Sequence, residues 1–341
     1  MAIIIPTANR HKAIDMWLYT AAYGMQYIGV DIIVFDSSAD DRTEAIVNNF
    51  IIDGCTNIRY VRWQGEWDGF SLDNKVIDAY KMFCDEYEYL WALRDGLIIH
   101  DSAVVKKELF PAISRGNDFI VINATCRDYN HFGNRQYENC VDLFSEQLMQ
   151  MTILGATIVK GSVIKKVIQK VPNEKGKTYG LWQPMSFFYY MAEEGVKVES
   201  IVDDIWIYNT SGATSSFLGK NTFKQWCEIW CELINNLPPC YDKHKKQAKY
   251  IYMSDFHPFQ AVNLLSVRAN RGLNIAEVNR CRHNLPDVCK TPVLVFYIIA
   301  LLPCCVADYL RKNMEGSLFR LLSAIYYFAF GIVPGEKEVL A

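Results

Sequence analysis

The sequence predicts an α/β protein: a doubly wound, mainly parallel sheet with helices on both faces, followed by a helical C-terminal extension. Short apolar runs typical of buried strands alternate with segments whose apolar residues recur at helical spacing. Alternation at this spacing implies crossover connections between neighbouring parallel strands. The character of the chain changes near residue 216, so we divide it into residues 1–215, the sheet domain, and 216–341, the helical region.

The first strand is predicted at residues 2–5, where Pro6 ends an apolar run, and apolar positions from Ile14 to Met25 predict the first helix. The alternation then predicts strands at 31–35, 57–61 and 88–93 and helices at 42–52 and 72–84. Further strands are predicted at 119–123 and 156–160, an irregular loop at 124–139, a helix at 181–194 and extended chain at 198–208. Ligands of such sheets bind outside the carboxyl ends of the strands, so the segments that follow the strands are the candidate site.

The composition excludes several classes of protein. Of the 341 residues, 51% are hydrophobic and 21% are charged, which excludes a disordered chain. The 35 Lys and Arg residues nearly balance the 38 Asp and Glu residues, so we expect no nucleic-acid partner of the globally basic kind. The 11 cysteines show no paired CxxC spacing, which argues against structural zinc. Free thiols and the absence of a signal-peptide pattern lead us to expect a cytoplasmic protein.

Three polar segments follow strands of the predicted sheet, at residues 6–10, 36–41 and 94–96. The first offers a hydroxyl and a guanidinium group. The second offers the carboxylate of Asp36, which suits a ribose hydroxyl or a base N–H. The third offers Asp95, which can hold a divalent cation that bridges phosphates, with Arg94 adding positive charge. Taken alone, each segment fits a turn, a helix cap or a surface ion pair equally well.

Together the segments resemble glycosyltransferase family 2, whose fold is GT-A. The resemblance covers roughly residues 1–210 and rests on Pro6-Thr7-Ala8-Asn9-Arg10, Asp36-Ser37-Ser38-Ala39-Asp40 and Leu93-Arg94-Asp95-Gly96. It implies that a sugar-nucleotide donor is bound by Pro6, Thr7, Asn9, Arg10, Asp36, Ser37, Ser38, Asn74, Lys75, Arg94 and Asp95. It also implies Mg²⁺ or Mn²⁺ at Asp95, with donor phosphates as further ligands.

The chain departs from the family in the metal turn, where the family usually has two acidic residues. Here Asp95 is the single carboxylate of that turn, and Arg94 can supply part of the charge neutralisation in place of the missing one. We therefore expect a divalent metal to bind with few protein ligands and with donor phosphate oxygens and waters completing the set.

A second departure concerns the general base, which the family carries as Glu-Asp at the start of a helix. Counting back from Gly195 gives Gln183-Pro184, and neither side chain accepts a proton near neutral pH. Asp128 and Asp142 are the alternative bases, and for each the competing interpretation is a solvated loop acid. Trp182 and Gln183 are candidate acceptor contacts, Trp182 by stacking on a sugar or, alternatively, as a core side chain.

Two uncharged apolar stretches, residues 292–307 and 321–334, lie in the last fifth of the chain. Both are shorter than the roughly 20 residues that a transmembrane helix needs. Apolar stretches of this length with basic flanks suit helices that lie in the interface of an anionic membrane. The alternative is a helical hairpin that packs on the sheet domain or at a contact between copies of the chain.

By the resemblance, the chain transfers a sugar from a nucleotide donor, most simply UDP-linked, to a saccharide hydroxyl with inversion. The acceptor would be a polyprenyl-linked or growing surface glycan, such as a capsule or cell-wall polysaccharide, at the inner face of the membrane. The two departures support an alternative, a non-catalytic scaffold that binds nucleotide-sugar or glycan in an assembly complex. A nucleotidyltransferase is a third hypothesis, weakened because no Gly-rich loop follows the first strand.

Overall fold

The computed structural model describes residues 1–65, 72–123, 133–171, 178, 180–203, 205–208, 219–251 and 258–312. The chain divides into two compact units. The sheet unit comprises residues 1–127, 131–214 and 237–244, and the helical unit comprises residues 128–130, 215–236 and 245–341.

The strands and helices of the sheet unit alternate along the chain. The strands are β1 (Ala2–Thr7), β2 (Asp31–Asp36), β3 (Ile58–Arg62), β4 (Tyr89–Ala92), β5 (Leu97–Ile99), β6 (Phe119–Asn123), β7 (Arg135–Tyr137), β8 (Thr157–Lys160), β9 (Val198–Val202) and β10 (Trp206–Tyr208). The helices are α1 (His11–Tyr27), α2 (Arg42–Ile52), α3 (Leu72–Phe83), α4 (Ser102–Ser114), α5 (Cys140–Met151), α6 (Gly161–Lys170) and α7 (Trp182–Glu193).

Eight strands form one sheet in the order β3-β2-β1-β4-β8-β6-β9-β7, and β5 pairs with β10 in a second, two-stranded sheet. The pairs β3–β2, β2–β1, β1–β4 and β6–β9 are parallel, and β8 and β7 enter antiparallel. Every residue of β1 is buried, as expected of a central strand with both faces covered. The predicted doubly wound, mainly parallel sheet is confirmed.

The helices pack as two groups, α1 with α2 and α4, and α3 with α6, α6 with α7, and α7 with α5. In α1, Ile14, Trp17 and Met25 belong to one buried stripe that recurs at helical spacing. The helix ends at Tyr27, and Gly29 follows with a φ of 73°, a left-handed conformation that glycine adopts without strain.

The predicted irregular loop at residues 124–139 is wrong in its last part, because β7 lies there and pairs with β9 at the edge of the sheet. Arg135 and Gln136 are exposed, so this edge strand carries no apolar alternation by which the sequence could reveal it. Residues 124–132 lie outside the described part of the chain.

The helical unit is built from short helices. They are a π-helix at Lys224–Ile229, α8 (Trp230–Asn236), α10 (Ala261–Ala269), α11 (Ile275–Cys281), α12 (Leu285–Val288), α13 (Val293–Leu301) and α14 (Cys304–Lys312). A 3₁₀ turn at Pro239–Tyr241 and the start of α9 (Asp242–Lys249) belong to the sheet unit, and α9 continues into the helical unit. Its core contains a triad of rings from Phe223, Phe259 and Phe296, whose centroids lie 5.2–5.9 Å apart. Phe223, Trp230 and Ile234 recur at helical spacing and are fully buried.

The first of the two apolar stretches forms α13 and α14, which meet at a bend of 107°. Within the described residues, no helix taken singly has the length and hydropathy required to cross a membrane, whereas α13 and α14 taken together do by length and composition. Three large side chains on one face of α13 are strongly exposed: Leu294 (68%), Ile298 (54%) and Leu301 (68%). The second predicted stretch, at residues 321–334, lies outside the described residues.

Candidate functional site

The parallel register aligns the ends of the central strands. Thr7 is opposite Asp36, and Asp36 is opposite Arg62 on the next strand. On the other side of β1, Ile4 is opposite Ala92, so the turn that holds Asp95 leaves the sheet at the same edge. The polar segments predicted to form a site therefore meet at one end of the sheet.

A strand-end cluster forms there from Thr7, Arg10, Lys75 and Asp95. Thr7 Oγ1 donates a 2.8 Å hydrogen bond to Asp95 Oδ2, and Arg10 Nη1 donates to Asp95 Oδ1. Asp95 is only 4% exposed, and burial raises its pKa although Arg10 and Thr7 oppose the shift. The cluster joins residues that are more than 80 positions apart in the sequence.

Lys75 connects the loops that follow β1 and β2. Its Nζ donates to Thr7 O at 2.7 Å and to Ser37 Oγ, and lies 5.4 Å from the centre of the Trp63 ring. The side chain is 1% exposed, and burial lowers its pKa to about 8. Lys75 therefore places a buried positive charge beneath both loops, and its neighbour Asn74 is half-buried in the first turn of α3.

Asp36 is fully buried, and each of its oxygens already accepts hydrogen bonds. Oδ1 accepts from Ser38 N at 2.9 Å and from Ser38 Oγ at 2.6 Å, and Oδ2 accepts from Tyr60 OH at 3.0 Å. Burial, followed by the charge of Asp36, raises the pKa of Tyr60. In this structure Asp36 thus holds the β2–α2 loop in shape, and a direct contact with a ligand requires exchange of one of these bonds.

Asn9 fastens the first loop to the second. Its φ is 55°, in the left-handed region that asparagine enters more readily than most residues. From there its backbone N–H donates to Ser38 Oγ at 2.8 Å, and its Oδ1 accepts from Ala39 N at 3.0 Å. Pro6, which precedes this loop, is buried in β1.

Arg62 belongs to the same end of the sheet and was missed from the sequence. Its guanidinium donates to Ser38 O at 2.8 Å and to Asp40 O at 3.1 Å, and it pairs with Asp41 and Glu44. The available signal was its position, because it is a charged residue at the carboxyl end of a predicted strand next to the strand that ends at Asp36.

The carboxylate of Asp95 is the one predicted metal ligand. No group of three or more His, Cys, Asp or Glu side chains that could hold a metal occurs among the described residues. Thr7 and Arg10 each donate to one oxygen of Asp95, and a carboxylate has about four lone-pair positions in all. The residues therefore fit a Mg²⁺-type ion held by one carboxylate, substrate phosphates and water.

The two candidate bases from the sequence are not joined to this cluster. Asp142 is exposed in the first turn of α5, where its carboxylate accepts a 3.0 Å hydrogen bond from Asn139 Nδ2. No hydrogen bond or ion pair described for Asp142 connects it with Thr7, Arg10 or Asp95. Asp128 lies outside the described residues.

The two candidate acceptor contacts lie in the first turn of α7. Trp182 is 2% exposed, and its Nε1 donates to Val171 O at 3.1 Å, so it packs as a core side chain, the alternative left open above. Gln183 is 5% exposed, and within the described part of the chain neither its Oε1 nor its Nε2 has a hydrogen-bond partner.

Gln183 lines a small pocket, here called the α3–α7 pocket, whose free space of about 10 Å³ is room for roughly one water molecule. Its lining residues are Leu72, Asp73, Val76, Met151, Thr152, Leu154, Gly180, Gln183 and Pro184. Asp73 Oδ2 accepts hydrogen bonds from Thr178 Oγ1 at 2.6 Å and from Gly180 N at 2.7 Å. Burial raises the pKa of Asp73 to about 6, although these donors and the N–H of Trp182 oppose the shift.

Asp73 was also missed from the sequence. Its partners Thr178 and Gly180 are more than 100 positions away, so no local pattern announces the contact. Because residues two apart in a helix point in nearly opposite directions, Asp73 and Lys75 serve different sides of α3.

Comparison with known proteins identifies the fold. No family model matches the chain, and no curated protein matches it in sequence. Crystal structures of S. aureus TarS 1-349 match it in structure with 12% identity and a TM-score of 0.53 without a named ligand, 14% and 0.53 with UDP, and 15% and 0.51 with UDP-GlcNAc. Each alignment covers 96% of this chain and 91% of the TarS chain. The chain has the GT-A fold, as the resemblance implied.

Proposed function

We propose that this chain is a glycosyltransferase that moves a sugar from a nucleotide donor, a UDP-sugar, to a hydroxyl of a saccharide acceptor with inversion at the anomeric carbon. The strand-end cluster is the observation that carries the proposal. Thr7, Arg10 and Asp95 come from two strand ends and converge at the edge of the sheet where ligands of such folds bind. The TarS structures that share the fold contain UDP and UDP-GlcNAc, which supports a uridine donor.

The cations at the strand ends suit the diphosphate of such a donor. Arg10 and Arg94 are half-buried and Lys75 is buried, so three positive groups lie around the single carboxylate of Asp95. As the bond between sugar and phosphate breaks, negative charge grows on the departing diphosphate. Fixed cations in a poorly solvated site stabilise that charge more strongly than water does.

Asp95 would hold Mg²⁺ or Mn²⁺ together with donor phosphate oxygens. When bound, the ion supplies further neutralisation of the leaving diphosphate. A chelator should then lower turnover, added Mn²⁺ should restore it, and Asp95→Asn should make the residual rate insensitive to both. If EDTA leaves the wild-type rate unchanged, the arginines and Lys75 neutralise the leaving diphosphate without a metal ion.

The exposed face of α13 supports a peripheral contact with the membrane at which a polyprenyl-linked acceptor would lie. Leu294 and Ile298 would enter the acyl boundary of an anionic bilayer, and Arg311 and Lys312 in the last turn of α14 would add attraction to its charge. Co-sedimentation with phosphatidylglycerol vesicles should be reduced in Leu294→Glu/Ile298→Glu and unchanged in Ile52→Glu, an exposed position of the sheet unit. Loss of dimers instead of vesicle binding would assign this face to a contact between copies.

Binding of UDP and UDP-sugars, followed by release of UDP, tests the proposed activity. We expect UDP and at least one UDP-sugar to raise the melting temperature of the wild type, because a ligand that binds the native state stabilises it. Asp95→Asn should reduce that shift and lower UDP release by about 1,000-fold. If neither UDP- nor GDP-sugars bind or turn over, with or without Mn²⁺, the proposal fails.

A non-catalytic scaffold that binds nucleotide-sugar or glycan remains the competing function. The single carboxylate in the metal turn and the Gln183-Pro184 pair at the start of α7 favour it. The same experiment separates the two, because a scaffold binds the donor without releasing UDP in the presence of any saccharide acceptor.

A further inference from the structure

The outer surface of α1 and α2 carries few charges. In α1 the stripe that includes Ile14, Trp17 and Met25 is buried, and the opposite side of such a helix ordinarily carries charged residues. The sequence has no charged residue at positions 16–30, nor at positions 45–52 in α2, which packs on α1. The exposed surface of this helix pair is therefore made largely of neutral side chains.

Three tyrosines form a stripe on that surface. Tyr19, Tyr23 and Tyr27 are spaced four residues apart, so they follow one another along α1, and they are 79%, 51% and 85% exposed. Tyr23 OH donates to Asp53 O at 3.3 Å, which places the stripe beside the end of α2 and its exposed Ile52. We call this surface the tyrosine face, and its members are Met16, Tyr19, Tyr23, Tyr27, Ile51 and Ile52.

The tyrosine face is larger than the exposed patches of ordinary monomers. An aromatic side chain has an area of about 150–250 Å², so the three tyrosines at their observed exposures present roughly 400 Å². With the two isoleucines and Met16 the exposed area is roughly 700 Å², whereas the largest patch of a typical monomer is about 300–600 Å². A standard protein interface buries about 800 Å² on each partner, which this face nearly supplies.

The composition of the tyrosine face suits a second copy of the same chain. Tyr and Met are enriched at protein interfaces, and charged residues are depleted at their centres. A neutral face meets an identical face without like-charge repulsion. Each tyrosine hydroxyl can both donate and accept a hydrogen bond, so the same side chain from two copies can pair. A twofold dimer requires a self-complementary surface of this kind.

The charges at the two ends of the stripe are opposite. Lys12 is exposed and lies four residues before Met16, so it continues the stripe at the start of α1. Asp53 is also exposed and lies at the other end, where Tyr23 binds its carbonyl oxygen. If two α1 helices cross antiparallel about a twofold axis, Lys12 of each copy comes near Asp53 of the other. A parallel crossing would bring like charges together, which favours the antiparallel one.

We propose that the tyrosine face is the contact through which two copies of this chain form a twofold dimer, with their α1 helices antiparallel. An anionic membrane suits the face less well, because Asp15 and Asp53 border it and anionic lipids repel them. The proposal is independent of the proposed function, since no member of the tyrosine face belongs to the strand-end cluster.

Sedimentation velocity of the full chain at several concentrations tests the proposal. We expect a monomer–dimer equilibrium in wild type, and Tyr19→Lys/Tyr27→Lys should weaken dimerisation by about 100-fold or more, because the contact would then contain four added charges. Both tyrosines are strongly exposed, so the variant should fold, and an unfolding midpoint equal to that of the wild type at a monomeric concentration verifies this. Leu294→Glu/Ile298→Glu, on the exposed face of α13, is the matched control and should dimerise like the wild type.

Charge reversal tests the antiparallel arrangement. Lys12→Glu and Asp53→Lys should each weaken the dimer by about threefold to tenfold, and the double variant should regain the wild-type affinity. A double variant weaker than either single variant would refute this arrangement.

Three results would overturn the dimer: a wild type that is monomeric at about 0.1 mM, a dimer that survives the two tyrosine substitutions, or a dimer that only the α13 control loses. A monomeric wild type whose binding to phosphatidylglycerol vesicles is lost in Tyr19→Lys/Tyr27→Lys would assign the tyrosine face to a membrane instead.

Discussion

The strand-end cluster and the α3–α7 pocket, both in the sheet unit, satisfy their polar groups in opposite ways. In the cluster, Thr7 and Arg10 use both oxygens of Asp95, and Lys75 donates to two loops. In the pocket, the amide of Gln183 finds no partner within the described residues. The first region is organised by its own side chains, whereas the amide of Gln183 in the second has hydrogen-bonding capacity that none of the described residues fills.

This difference separates what each region contributes. Preorganised charges need little rearrangement when the reaction occurs. They therefore stabilise the charge of a transition state more strongly than groups that must first reorient. Unfilled capacity favours binding and recognition, because a correct ligand removes a penalty that the free protein carries. Substitutions in the strand-end cluster should therefore lower turnover, whereas substitutions in the α3–α7 pocket should change binding or stability.

The largest effect is expected when the cluster loses its central charge. In Asp95→Asn, Arg10 loses its carboxylate partner and the donor phosphates lose their cation site, so we expect turnover to drop by about 1,000-fold. The measurement is the initial rate of UDP release at saturating donor. A loss of less than tenfold would mean that Asp95 only shapes the turn, and the contrast between the two regions would collapse.

A smaller and different effect is expected at Gln183. In Gln183→Leu, an unsatisfied amide is replaced by an apolar group of similar size, so the unfolding midpoint should stay equal or rise. If Gln183 contacts the acceptor, as expected from the sequence, the acceptor KM should increase by about tenfold, with kcat changed less. A clear fall in the unfolding midpoint would show that Gln183 has a structural partner.

The ionisation of Asp73 should be visible in stability itself. Its pKa in the folded protein is about 6 against the model-peptide value of 3.8, so the folded state binds the proton more tightly than the unfolded state. The ionised carboxylate thus costs stability above about pH 6, and the cost disappears as the pH falls towards 4. When Asp73 is fully ionised, the free energy of unfolding is lower by on the order of 3 kcal/mol.

Asp73→Asn removes that ionisation. Its unfolding midpoint near pH 8 should be at or above that of wild type, and the difference should shrink as the pH falls through about 6. Thermal melts of the two proteins across that range measure it. A variant that is less stable than wild type at the higher pH would identify Asp73 as a structural tie for the start of α7.

The smallest effect is expected at Tyr60. In Tyr60→Phe, Asp36 Oδ2 loses the phenol donor, which should lower the free energy of unfolding by about 1–2 kcal/mol and weaken UDP binding only slightly. Chemical denaturation and calorimetry with UDP measure the two quantities. Loss of UDP binding by an order of magnitude would mean that Tyr60, and not the cluster, orders the nucleotide site.

Much of the sheet unit was predictable because its strands are continuous apolar runs and its crossovers follow a regular alternation. The strand-end residues were predictable for the same reason, since any side chain directly after such a strand lies at the binding edge. Tyr60 and Asp73 were not, because each acts on a partner that only the folded chain brings near. Edge strand β7 was missed because Arg135 and Gln136 give it no apolar alternation.

The hydrogen bond between Thr7 and Asp95 has a consequence for biosynthesis. The chain emerges from the ribosome in sequence, so Arg10 and Lys75 appear before the carboxylate that lies between them. Until β4 pairs with β1, Arg10 lacks its carboxylate partner, whereas Lys75 already has the charge of Asp36 nearby. Central strand pairing and completion of the charged site are thus one event, and a nascent chain that stops before residue 95 leaves Thr7 and Arg10 without their carboxylate partner.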